Sequence, residues 1–255
     1  MNPDLDKLHP YPFEKLSQLF AGTSAAEKQA IALSIGEPKH PTPEFVKTTL
    51  ADNLPALAKY PTTKGLPELR SGIAHWLQQR FNIDTINPEN QVLPVNGTRE
   101  ALFAFAQAMI DRDAESPLVL MPNPFYQIYE GATFLAGAAP YYLDCLANNN
   151  FIPDFEAVSE KIWQRCQILF ICTPGNPAGA TLDHKQLACL IDLADKHDFI
   201  IASDECYSEI YFDESRPPTG LLEACAKIGR DDFKRCLVFH SLSKRSNLPG
   251  LRSGF

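Results

Sequence analysis

Lys244 lies in a small, polar setting, Ser241-Leu242-Ser243-Lys244-Arg245-Ser246-Asn247-Leu248-Pro249-Gly250-Leu251-Arg252, where an amine can serve as nucleophile and base. Arg252 follows it by eight residues, room for a loop to turn back and bring a guanidinium to a bidentate oxyanion. Ser241, three residues before the lysine, offers a hydroxyl to the same anion. Upstream, Asn96-Gly97-Thr98 supplies free backbone N–H groups before a helix, and Pro174-Gly175-Asn176-Pro177 supplies an amide. Asp204-Glu205-Cys206-Tyr207 sets a phenol three residues after a carboxylate. A reactive amine, an anion cradle, donors for a ring hydroxyl and a carboxylate for a ring nitrogen together meet the needs of pyridoxal 5'-phosphate.

Each piece also has an ordinary reading: a surface lysine, an Asn-Gly turn, a loop-capping aspartate. Asp204 weighs most, because it ends the apolar run Phe199-Ile200-Ile201-Ala202-Ser203, where a carboxylate without a partner is costly. A pyridinium N–H is such a partner, and a hydrogen bond to a charged group is worth about 1.5–3 kcal/mol. Tyr207 and Asn176 can donate to the ring hydroxyl. Arg245 competes with Arg252 for the phosphate, but its place beside the lysine points it elsewhere.

The elements that must position these residues read as α/β. From about residue 90, short apolar runs alternate with helix-period segments, as in a mainly parallel sheet covered on both faces. The expected strands are Gln91 to Val95, Leu118 to Met121, Pro140 to Leu143, Ile168 to Cys172, Phe199 to Ser203 and Cys236 to His240, separated by helices such as Arg99 to Ile110 and His184 to Lys196. The candidate residues fall at or just after the C-terminal ends of those strands, where open α/β sheets bind ligands. The proline-rich N-terminal region reads as an arm plus part of a second layer, with one strand-like run, Ile31 to Ile35, and helices over Glu44 to Asn53 and Leu66 to Arg80.

The chain has 255 residues, of which 45% are hydrophobic, enough for a sizeable core. A net charge of −8 and a pI near 5.3 leave no basic stripe for nucleic acid or an anionic membrane surface. No apolar run approaches the length of a membrane span, and the charged first twenty residues do not read as a signal peptide, so a cytoplasmic protein is expected. The seven cysteines form no Cys-x-x-Cys pair, and the six histidines show no metal-site spacing.

Ser-x-Ser-Lys followed by Gly-x-Arg, with Asp-x-x-Tyr and Pro-Gly-Asn-Pro upstream, resembles the class I/II aminotransferases among the fold-type I pyridoxal-phosphate enzymes, over essentially the whole chain from Ile35 onward. The resemblance implies that Lys244 holds the cofactor covalently, that Asp204 pairs with the ring nitrogen, and that Tyr207 and Asn176 bind the ring hydroxyl. It implies further that Tyr126 stacks on the ring and that Gly97, Thr98, Arg99, Ser241, Ser243 and Arg252 surround the phosphate. Tyr60 matches a tyrosine that reaches a partner's phosphate in a homodimer, and Gly36 matches backbone near the substrate carboxylate; ordinary aromatic packing is the alternative for Tyr60 and Tyr126.

On this resemblance, residues 1–45 are an N-terminal arm with part of a small domain, and 46–255 are the cofactor-binding large domain. The last strands and a C-terminal small domain carrying the substrate-carboxylate arginine are expected beyond Phe255, with 1–255 an incomplete and inactive chain. Within the family, Ser34 to Pro43, Leu93 to Leu102 and Ser241 to Phe255 look most like the branch that acts in bacterial lysine synthesis, which implies amino transfer between N-succinyl-LL-2,6-diaminopimelate and 2-oxoglutarate. A pyridoxal-phosphate C–S lyase shares the ring contacts and is the nearest rival. A non-catalytic sensor domain of a transcription regulator is the rival of another class, but residues 1–40 are too short and too acidic for its DNA-binding part.

Overall fold

The computed structural model describes residues 1–255 other than Ala25, Ala30 and Ala32. Apolar, often β-branched runs form the strands β1 (Leu118–Asn123), β2 (Ala139–Asp144), β3 (Cys166–Cys172), β4 (Ile200–Asp204) and β5 (Cys236–Phe239). Among the described residues they make one parallel sheet in the order β2-β1-β3-β4-β5. The helices are α1 (Pro12–Phe20), α2 (Glu44–Asp52), α3 (Pro67–Phe81), α4 (Thr98–Met109), α5 (Gln127–Leu135), α6 (Glu160–Trp163), α7 (His184–His197), α8 (Leu221–Lys227) and α9 (Leu242–Arg245).

The two-residue period of a strand divides the core. Leu118, Leu120, Leu169, Ile171 and Ile201 pack with Leu77 and Phe81 of α3, Leu187 and Ile191 of α7, and Leu221 of α8. Their neighbours Val119, Met121, Ile168, Phe170 and Ala202 face the other way, onto Leu102 and Ala106 of α4 and Tyr129 and Ala132 of α5. The strand order explains the two layers: the β1-to-β2 step runs one way along the sheet through α5, and the steps from β3 to β5 run the other way through α7 and α8. Crossovers of one hand that travel in opposite directions put their helices on opposite faces. The direction reverses between β1 and β3, so a crevice opens at their C-terminal ends.

Several expectations need correction. Gln91 to Val95 is not a strand: Pro94 has no N–H to give a ladder, and Val95 makes a single antiparallel bridge, with Gly254. The described residues of the Ile31 to Ile35 run form no strand either, since nothing covers Ile31 and Leu33, which are 82% and 89% exposed; Ala32 lies outside the described residues. The helices α1, α5, α6, α8 and α9 are not among those expected from the sequence. α5 is only nine residues long and the turn before it lacks a capping side chain, so no start signal marks it. Among the described residues no helix is long and apolar enough to cross a membrane.

Candidate active site

Four strand ends converge on the crevice. Tyr126 follows β1, Asn176 lies in the turn after β3, Asp204 closes β4, and Ser241 starts the turn that carries Lys244 after β5. Gly97 and Thr98 meet them at the start of α4.

Asp204 is 5% exposed, and its carboxylate accepts from the Tyr129 hydroxyl at 2.7 Å and from the Cys206 backbone N–H at 3.3 Å. Sequence reasoning missed Tyr129. It is fully buried in the first turn of α5, stacked on Phe170 at 4.7 Å and edge-on to Tyr126 at 5.8 Å. The only local signal was a second tyrosine three residues after Tyr126. Burial first, and then the Asp204 charge, push the Tyr129 phenol and the Cys172 and Cys206 thiols well up; burial is also the main cause that raises Tyr207. All four therefore stay protonated around one carboxylate. Thr98 Oγ1 lies 3.4 Å from Cys206 Sγ, which ties the start of α4 to the same cluster.

The anion side is built where the chain turns back. After α9, the segment through Pro249–Leu251 reverses at Arg252 (φ 51°), and Gly254 bridges both Val95 and Ser241. The Arg252 guanidinium thereby reaches Gly97, whose φ of 106° suits glycine; a Cβ there would stand 2.2 Å from Arg252 Nη2. Arg252 pairs with Glu100 at 2.9 Å, and Arg99 Nε donates to the Tyr126 hydroxyl at 2.8 Å. An anion at the α4 N-terminus competes with Glu100 for Arg252. Ser241 caps the lysine turn by accepting from the Ser243 N–H at 3.1 Å, and Lys244 Nζ donates to the Gly36 carbonyl. Arg245 points away, stacked 3.9 Å over Trp76, where burial lowers its pKa.

The structure thus brings together Gly97, Thr98, Cys206 and Asp204, joins Arg99 to Tyr126, and sets Lys244 on Gly36. Asn176 is exposed in its turn, Tyr207 is half-buried, and Tyr60 is fully exposed, away from any of these contacts.

A family profile described as aminotransferase class I and II matches residues 28–255. The chain belongs to that family. It is 34% identical to an LL-diaminopimelate aminotransferase of Desulforudis audaxviator (strain MP104C), covering 97% of this chain and 61% of the relative. It is 36% identical to an LL-diaminopimelate aminotransferase of Dehalococcoides mccartyi (strain CBDB1), over 98% of this chain and 62% of the relative. Among solved structures, an aminotransferase of Neisseria meningitidis Z2491 superposes with a TM-score of 0.94 at 50% identity, over 100% of this chain and 64% of that one. The aminotransferase AspB of Helicobacter pylori 26695 gives 0.89 at 40% identity, over 97% and 64%. The aminotransferase chain therefore spans less than two thirds of the length of these relatives.

Enzymes of this family use pyridoxal 5'-phosphate, and the residues present fit it. Among the described residues no lysine, arginine or histidine pairs with the buried Asp204, so a protonated ring nitrogen would supply the charge partner it lacks. Gly97 carries no side chain to keep the Arg252 guanidinium away from the α4 N-terminus, so that cation and the free backbone N–H groups there could face one anion together.

Proposed function

We propose that this chain carries the cofactor-holding residues of an aminotransferase that moves an amino group between N-succinyl-LL-2,6-diaminopimelate and 2-oxoglutarate. The observation that carries the amino-transfer reading is Asp204, a buried carboxylate with two neutral donors and no cation, one strand away from the turn that bears Lys244. Relatives named LL-diaminopimelate aminotransferase support a diaminopimelate-type substrate, and the succinylated form rests on the likeness of Ser34 to Pro43, Leu93 to Leu102 and Ser241 to Phe255 to the succinyl-accepting branch.

When bound, pyridoxal phosphate supplies an electron sink for the pair released at the substrate Cα. Lys244 Nζ would hold the cofactor covalently and, as a free amine, would serve as general base for the proton at the substrate Cα. Asp204 keeps the ring nitrogen protonated, and Tyr129 and the Cys206 N–H hold that carboxylate in place. Tyr207 and Asn176 would donate to the ring hydroxyl, and Tyr126 would stack on the ring. Gly97, Thr98, Arg99, Ser241, Ser243 and Arg252 anchor the phosphate. Gly36 lies beside the lysine, on the side where a substrate carboxylate would enter. Residues 46–255 form the cofactor-binding unit and 1–45 an arm, and Tyr60 serves a neighbouring subunit's phosphate in a homodimer.

Two measurements test this. Borohydride treatment of the protein with pyridoxal phosphate, followed by peptide mapping, finds the label on Lys244; label on Lys64 or Lys185 refutes the assignment. Amino transfer from succinylated diaminopimelate to 2-oxoglutarate exceeds that from unblocked LL-diaminopimelate, aspartate or an aromatic amino acid, and the reverse order refutes the substrate. Release of pyruvate, ammonia and homocysteine from cystathionine in place of amino transfer marks a C–S lyase.

A further inference from the structure

On the face of the sheet opposite Tyr129, two polar side chains lie where only apolar ones are needed. The Glu205 and His240 side chains are each 1% exposed, with Glu205 Oε2 3.3 Å from His240 Nε2. Glu205 Oε1 is engaged, accepting from Ser203 Oγ at 3.0 Å and from the Leu221 N–H at 2.8 Å. Glu205 Oε2 and both His240 ring nitrogens have no aligned hydrogen-bond partner among the described residues, so the two side chains meet as a close buried pair. The imidazole is gripped by aromatic rings: edge-on to Trp76 at 5.2 Å, tilted to Phe81 at 5.7 Å and stacked on Phe255 at 5.2 Å. The tautomer with its proton on Nε2 is the one that can donate to Oε2.

Position gives the pair its meaning. Glu205 directly follows Asp204, and His240 directly precedes Ser241, the cap of the lysine turn. Successive side chains on extended backbone point to opposite faces, so a link behind the sheet fixes the groups in front of it through the backbone alone. The Glu205 N–H bonds the Phe239 carbonyl at 2.9 Å, and the His240 backbone pairs with Phe255 in both directions, at 2.8 and 2.9 Å. Burying a carboxylate and an imidazole together costs desolvation that a pair of apolar residues would avoid, so the pair contributes register more than stability.

We propose that Glu205 and His240 are positioning residues that tie the end of β4 to the end of β5, and so hold the Asp204 carboxylate and the Lys244 amine at the separation the cofactor ring requires. This rests on the reading of Asp204 and Lys244 given above.

Imidazole NMR of protein labelled with ¹⁵N-histidine tests the link itself. A slowly exchanging Nε2–H proton is expected, absent in His240→Phe and displaced in Glu205→Gln; its absence from the wild type overturns the pair. Titration with pyridoxal phosphate tests the consequence. His240→Phe keeps the stacked ring but loses the donor, and its cofactor dissociation constant is expected to rise about tenfold, as when a supporting hydrogen bond behind a ligand is removed, with a shift in the bound cofactor's absorbance maximum. His240→Gln, which returns an N–H near the same place, recovers most of the loss. If His240→Phe fails to fold, the near-isosteric Glu205→Gln carries the same comparison. Wild-type affinity and spectrum in the variant refute the positioning role alone, whereas wild-type protein that takes up no cofactor at Lys244 refutes the reading of the site and the positioning role with it.

Discussion

From Arg70 onward the strands and the helices that cover them bury residues on both faces of the sheet, whereas none of the described residues before Arg70 is buried. Both regions contain candidate site residues, and they are held differently. Asp204, Thr98 and Ser241 stand on elements whose backbones are set by the core. Gly36 and Tyr60 belong to a stretch that meets the rest of the site through a few backbone carbonyls: Gly36 O accepts from Lys244, and His40 O and Pro41 O accept from Asn247 Nδ2. Beside those contacts a groove of about 630 Å³ separates α2, with Phe45, Val46 and Leu50, from Leu248 and Leu251. Groups on a packed scaffold are placed to within the tolerance catalysis needs, and groups on an exposed segment gain that precision only from what they touch.

The largest effect should come from the core side. Lys244→Ala is expected to abolish borohydride labelling and to lower amino transfer by roughly 10²–10⁴-fold or more, the range associated with losing a positioned general base. A variant that keeps most of its turnover shows that another amine does the chemistry.

Stability sharpens the contrast. Leu120 is fully buried between β2 and β3, and Leu120→Ala should cost about 2–5 kcal/mol in urea unfolding. Leu57 is 82% exposed, and Leu57→Ala should change stability by no more than about 0.5 kcal/mol. Comparable losses for the two would erase the distinction between the regions.

Tyr129→Phe removes the hydroxyl that Asp204 accepts and should destabilise the protein by about 1–3 kcal/mol while weakening cofactor binding. The same buried groups set an alkaline limit. Cys172, Cys206 and Tyr129 have folded values raised above the ordinary 9.0 and 10.0, chiefly by burial. Between the unfolded and folded values the folded chain binds more protons, so this contribution is complete below about pH 9 and is lost as pH rises through 9 and 10, by up to about 1.4 kcal/mol per pH unit for each group. Urea midpoints measured from pH 7 to 10.5 should fall accordingly, and a flat profile would contradict the buried, protonated cluster. The smallest effect is reserved for the exposed region: Tyr60→Phe should weaken cofactor affinity a few-fold and only in the dimer, and equal affinity in wild type and variant counts against the subunit-crossing role.

Much of the sheet was legible in the chain. Ile168 to Cys172 and Phe199 to Ser203 are apolar and β-branched because a strand buried on both faces accepts little else, and the polar residues that end them mark the crevice. Gln91 to Val95 looked like the others in composition, yet a strand also needs a backbone partner, and among the described residues only Gly254 supplies one. The α5 helix was hidden because it is only nine residues long and opens without a capping side chain, so no local signal marks its start.

By itself the sequence determined the inventory of the site: an amine, a phosphate-seeking arginine, a carboxylate at a strand end and a glycine before a helix, each recognisable from residue type and a spacing of a few positions. Only the tertiary structure decided which side chains stand behind them. Tyr129 reaches Asp204 across 75 residues of chain, and Glu205 meets His240 across two strands, because such contacts depend on strand order and on which face each side chain takes. Local spacing encodes the period of an element; the pairing of distant elements emerges only when the sheet buries both of its faces at once.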